Sequence, residues 1–474
     1  MRPEARCRIG ASAKLVAARF RTDITCRREN DAANESPLAA TFALGGDCKL
    51  TGRLVLEINA PGLKAGRPLE TERKLQLPAL TGARGVAALA VLVAHGFPVL
   101  RFTDVPTFAA CTVPLAMFAM SLFFVLSGFV IYLNYAALFG SRPFARALRS
   151  FAVARFARLY PLFAFVALVT FATIESTRWP GLLPDVPWFL ALVQSWWPTT
   201  QNGILVLAIQ ELAHTWSIST EMFFYLCFPL MYLTLFRRPA SPRGAALALF
   251  CCGLAAAVAM LFLYRFGARL APRLPREDAL YWLGYFSPYA RIFEFAAGCF
   301  AARLFCALAA VPVSRREAAA AHALVIASLA GIIAVIWWAQ SIYLQDETTF
   351  LRFIRLNVIM LPMITALLFA ACRYRSWLSA ALSRRSLIFV GEISYSIYML
   401  HLFLMPQFYG RAAPLSAATL AEWLLRLAVY VALTIALAFG TYRLIEQPAR
   451  RWIRRTFSGD RPETAPTRLI PDYS

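Results

Sequence analysis

The sequence predicts an all-α fold, a polytopic membrane helix bundle of about ten transmembrane helices. Three observations predict it. Hydrophobic residues make up 59% of the chain and charged residues only 16%, against roughly 25% in a soluble domain; mean hydropathy is +0.57. The apolar residues gather in runs long enough for a hydrocarbon core about 30 Å thick. The loops between those runs alternate between arginine-rich and mixed or acidic, the positive-inside pattern.

Taken in order, residues 1–75 are polar, lack sustained periodicity and hold all four lysines, Lys14, Lys49, Lys64 and Lys74. KLVAARF is too short and too interrupted for a signal peptide. A flexible cytoplasmic tail, or a start codon placed too far upstream, is expected there. Residues 76–455 form the transmembrane domain. Its candidate spans are 79–100, 113–137, 156–174, 215–236, 245–265, 288–307, 322–342, 356–372, 387–407 and 419–442. The stretch 188–209 is broken by WWPTTQNG and reads as a re-entrant or interfacial loop. Residues 456–474 form a short cytoplasmic tail.

Arg142, Arg146, Arg149, Arg155 and Arg158 follow the second span; Arg237, Arg238 and Arg243 follow the fourth. Arg315 and Arg316, then Arg373, Arg375, Arg384 and Arg385, then Arg450, Arg451, Arg454 and Arg455 continue the pattern. It predicts an even number of crossings in the inner (plasma) membrane with both termini cytoplasmic. Arg265, Arg269, Arg273 and Arg276 fit poorly, on the outer side. The net charge of +22 is thus assigned to orientation, with membrane lipids and not nucleic acid as partners. The ten cysteines include no CxxC pair and read as small apolar fillers; no metal site is expected. Nothing in the sequence speaks to oligomeric state.

Several motifs place polar chemistry in apolar surroundings. Arg84 and His95 are separated by ten residues in the first span. Eleven steps advance a helix about 16 Å and nearly three full turns, so both side chains share a face. With Arg84 near one surface, His95 lies near the midplane, where an ionisable group is a functional-site hypothesis. The guanidinium suits a phosphate and the imidazole suits a general base. A snorkelling arginine and a histidine bonded to a neighbouring helix fit equally. Ser127-Gly128 allows close helix approach. Arg155 and Arg158, at i, i+3, share a face at the inner mouth. His214-Thr215-Trp216-Ser217-Ile-Ser219-Thr220-Glu221 opens a helix by capping and places Glu221 in its first turns, where it can serve a histidine. Arg291 and Glu294 are spaced to neutralise each other within a span. Ser394-Tyr395-Ser396-Ile-Tyr398-Met-Leu-His401 carries a second histidine inside a span, and Glu446-Gln-Pro448 reads as a terminal cap and anchor.

In this order, Arg-x10-His, FFVLSGFVI, RFARLYP, TWSISTE, ISYSIYMLH and IEQP resemble the membrane-bound acyltransferase 3 family from Leu80 to about Arg451. The resemblance implies transfer of an acyl group, often acetyl from acetyl-CoA, to hydroxyls of carbohydrates or glycolipids such as exopolysaccharide and lipopolysaccharide. It implies that Arg84 and His95 are the essential pair, that Arg155 and Arg158 lie near the CoA site, and that Glu221 is the acid of the Trp216-Ser217 motif. His95 would then deprotonate the acceptor or carry the acyl group briefly, with Glu221 helping it. Acyl-CoA is expected as co-substrate, with no tightly bound cofactor. Ala119 stands where many members have glycine. Only about 30 residues follow the last span, so the hydrolase-like domain of some members is expected to be absent. A transporter or flippase also explains inward ionisable groups, but no internal repeat supports it.

Overall fold

The computed structural model describes residues 77–96, 106–200, 203–343, 350–354, 357–409 and 420–457. The expected tails, 1–75 and most of 456–474, lie outside the described residues. Each of the ten expected spans contains a helix among its described residues. They are α1 (Pro78–Gly96), α2 (Pro106–Ser141), α3 (Phe144–Thr173), α4 (Trp216–Met231), α5 (Pro242–Phe266), α6 (Pro288–Leu308), α7 (Arg315–Tyr343), α8 (Leu361–Arg373), the pair α9 (Arg385–Glu392) and α10 (Ser394–Tyr409), and α11 (Leu420–Thr441). A basic amphipathic helix, α12 (Gln447–Phe457), follows.

Among the described residues, seven helices are long and apolar enough to cross a membrane, or eight if α9 and α10, bent by 68°, form one broken span. The remaining two of the ten fall short for separate reasons. α6 is long but carries Arg291, Glu294 and Arg303; α8 has only 13 residues. The stretch after α3 contains no eleventh span. It folds into short helices, Trp179–Leu182 and Val186–Leu190, and a two-residue antiparallel pairing of Thr199–Thr200 with Gly203–Ile204. Of the outlying arginines after α5, Arg269 lies over the Phe266 ring and Arg276 over the Tyr264 ring, so both fold back on the end of α5.

Two glycine contacts position the helices that matter. A Cβ on Gly128 of α2 would lie 1.9 Å from the Phe295 carbonyl oxygen of α6, and one on Gly298 of α6 would lie 2.0 Å from the Val125 carbonyl oxygen. The two backbones therefore touch, as expected of small residues in membrane helices. A Cβ on Gly391 would similarly lie 1.9 Å from the Thr81 carbonyl oxygen. That contact seats α1 against α9 and brings the start of α10 beside Arg84.

Candidate active site

Four helices each line both of two cavities, end to end. α1 gives Arg84 to the first cavity and Val91 and His95 to the second. α10 gives Ser394 and Tyr395 to the first and His401 to the second. α2 and the segment leading into α4 run the other way. Ala116 lines the second cavity and Ser127 the first; His214 and Trp216 line the second, Ser217 and Glu221 the first. Helices of opposite direction on one axis are what alternating membrane crossings require.

The first cavity is lined by Arg84, Arg155 and Arg158. Each guanidinium has a partner. Arg84 Nη2 donates to Ser394 Oγ at 2.9 Å. Arg155 Nη2 donates to the Tyr135 hydroxyl at 2.7 Å, and its plane lies over the Tyr135 and Tyr225 rings. Arg158 approaches Glu446 to 3.7 Å. Glu446 leaves a π-helical turn between α11 and α12, is buried, and also accepts from Ser396 at 3.0 Å. What reads in sequence as a terminal cap is thus an inward acid of this site. Arg450, one turn on, stands within electrostatic range of Arg84, Arg155 and Arg158. The cluster therefore contains one more arginine than the sequence motifs indicate.

Glu221 belongs to this cavity as well. Its Oε1 accepts from Ser127 Oγ at 3.0 Å and from the Tyr225 hydroxyl. The expectation that Glu221 serves His95 is not met, because the α4 turn carrying it faces the arginines. The same motif delivers His214 to the histidines instead.

The second cavity holds three of the four histidines. His95 and His401 meet edge-on with ring centroids 4.8 Å apart, and His214 lies 5.5 Å from His401. His95 Nδ1 shares a 3.0 Å hydrogen bond with the Val91 carbonyl, and His401 Nδ1 one of 2.6 Å with the Tyr398 carbonyl. A carbonyl only accepts, so in both rings Nδ1 carries a proton; in the neutral imidazole Nε2 then keeps its lone pair. His401 is fully buried, and its Nε2 has no hydrogen-bond partner among the described residues. Aromatic rings of Trp216, Tyr285 and Phe286 form the opposite wall. His95 is the eighteenth of the 19 residues of α1 and Arg84 the seventh.

Arg291 and Glu294 line neither cavity. They form a fully buried pair at 3.0 Å, joined by Ser121, which donates to Glu294 at 2.6 Å. Arg291 Nε donates to the Tyr285 carbonyl, and its guanidinium lies against Trp216. The pair therefore braces the aromatic wall from behind. Gly128 acts through packing alone. Tyr395 lines the first cavity but donates its hydroxyl to the Leu159 carbonyl. Sequence reasoning passed over Tyr398, although the spacing 394, 398, 401 marks one helix face.

A profile described as an acyltransferase domain matches residues 77–443. The chain belongs to the acyltransferase 3 family. Over 242 residues, 48% of this chain and 57% of the relative, it is 32% identical to the acyltransferase MdmB of Streptomyces mycarofaciens. Over 384 residues, 79% of this chain and 56% of the relative, it is 24% identical to the peptidoglycan O-acetyltransferase OatA of Listeria monocytogenes. The chain thus spans just over half the length of these two relatives. No solved structure matches.

Proposed function

We propose that this family member is an O-acyltransferase of the plasma membrane. It takes an acyl group, acetyl by default, from acyl-CoA and places it on a hydroxyl of a carbohydrate or glycolipid. The observation that carries the reading is the separation of cationic groups from lone-pair-bearing imidazoles along one axis. The arginine cavity suits the CoA phosphates, since guanidinium groups grip them bidentately. Acyl-CoA is a cytoplasmic substrate, so this cavity faces the cytoplasm, in keeping with the basic loops around it. The thioester then extends toward His95, about 16 Å along α1 from Arg84.

At the histidine cavity the acceptor hydroxyl gives its proton to His95 Nε2 as its oxygen attacks the thioester carbonyl. A C–O bond forms, the C–S bond breaks, and the proton passes on to the departing CoA thiolate. His95 is favoured over His401 because it is only half-buried, while His401 is fully buried. Glu221, tied to Ser127 and Tyr225, serves the donor side in this scheme.

The test compares cell-surface glycans from cells expressing the protein or its His95→Ala variant, by mass spectrometry. Added acetyl or other acyl masses should appear with the first and vanish with the second, while both proteins remain in the membrane. Equal acylation in both would refute the role of His95; no added mass in either would favour a transporter.

A further inference from the structure

Met120 of α2 and Tyr398 of α10 line both cavities. Every other lining residue belongs to one side. The donor phosphates and the base lie on opposite sides of these two residues, so the acyl group has to cross between them. We propose that Met120 and Tyr398 form the constriction that sets the length of acyl chain this protein accepts. The proposal rests on the acyltransferase reading above.

The two residues divide the work. Tyr398 is held at both ends of its hydroxyl, accepting from Ser217 at 2.7 Å and donating to the His214 carbonyl at 2.6 Å. Its ring stands between Phe123, at 6.4 Å on the arginine side, and His401, at 5.3 Å on the other. Moving it would strip two hydrogen bonds inside the bundle. Met120 has no polar atom to anchor, and its unbranched thioether changes shape at little cost. Tyr398 is therefore the fixed side of the constriction and Met120 the adaptable one. A short acyl group passes with a small rotation of Met120. Each added methylene has to find room beside a buried side chain, and apolar sites discriminate by about tenfold or more per methylene.

The test uses membrane vesicles from expressing cells, whose own glycans supply the acceptor. They receive equal amounts of acetyl-, butyryl- and hexanoyl-CoA, and mass spectrometry gives the ratio of acyl groups added. The ratio is read within one preparation, so a partial loss of folded protein cancels. Met120→Ala should raise butyryl over acetyl by about tenfold or more, and Met120→Phe should lower it. Tyr398→Phe, which releases both anchors, should shift the ratio the same way as Met120→Ala. Unchanged ratios in all three variants, with an active parent, would overturn the constriction alone. A parent that transfers no acyl group from any donor would overturn the underlying reading and the constriction with it.

Discussion

The arginine cavity and the histidine cavity are built on the same helices, yet they treat polarity in opposite ways. On the arginine side each charged group that lines the cavity has a partner: Arg84 with Ser394, Arg155 with Tyr135, Arg158 with Glu446, Glu221 with Ser127 and Tyr225. On the histidine side His95 and His401 tie down Nδ1, and Nε2 of His401 has no hydrogen-bond partner among the described residues. The difference follows from cost. A charge inside an apolar bundle is expensive and must be paired. A neutral imidazole that lacks one acceptor bond loses only about 1–3 kcal/mol. A membrane protein can thus keep a basic nitrogen ready, whereas it cannot keep a bare guanidinium. One cavity is suited to hold a charged donor, the other to take a proton.

Breaking the two sides separately should produce different kinetic signatures. His95→Gln removes the base and should lower kcat by about 10²–10⁴-fold with little change in the KM for acyl-CoA. A rise confined to the KM for acyl-CoA, with kcat unchanged, would reverse the assignment of the two cavities. Gly128→Ala attacks both at once, because α2 lines both. A methyl 1.9 Å from the Phe295 carbonyl must push α2 from α6, at a cost of about 1–3 kcal/mol or more. Thermal unfolding of the purified protein should show it, and an unshifted Tm would mean the helices are not in contact there. Arg84→Ala should raise the KM for acyl-CoA by about tenfold or more, as for loss of a charged hydrogen bond, while kcat falls less. An unchanged KM would remove Arg84 from the donor site. Arg178 and Glu211, paired at 2.6 Å and about a third exposed, lie outside both cavities. Arg178→Ala should cost less than about 1 kcal/mol and leave both kinetic constants near the parent values. A larger kinetic change would show that the loop after α3 takes part in turnover.

The pairings within each side explain what was readable beforehand. Arg155 and Arg158, three apart, announced a shared face, and both do line one cavity. Ser127-Gly128 announced close helix contact, and Gly128 meets Phe295. Glu221 was misdirected because its motif spans the boundary. His214 and Trp216 lie on one side of it, Ser217 and Glu221 on the other. Glu446 was read as a cap because its role depends on a π-helical turn, which shifts the face that the 3.6-residue period assigns.

Composition, apolar run length and loop charge by themselves determined an all-α membrane bundle and the order of its helices, since burial in lipid constrains every segment locally. They also determined that Arg84 and His95 point the same way, because helix geometry is local. Only the tertiary structure decided which groups meet. Arg84 reaches Ser394 across 310 residues of chain, Ser127 reaches Glu221 across 94, and Met120 and Tyr398 both come to the boundary between the cavities. Such encounters depend on how helices pack, through contacts like Gly128 on Phe295 and Gly391 on Thr81. No local period encodes them, because a helix repeats every 3.6 residues whatever stands beside it.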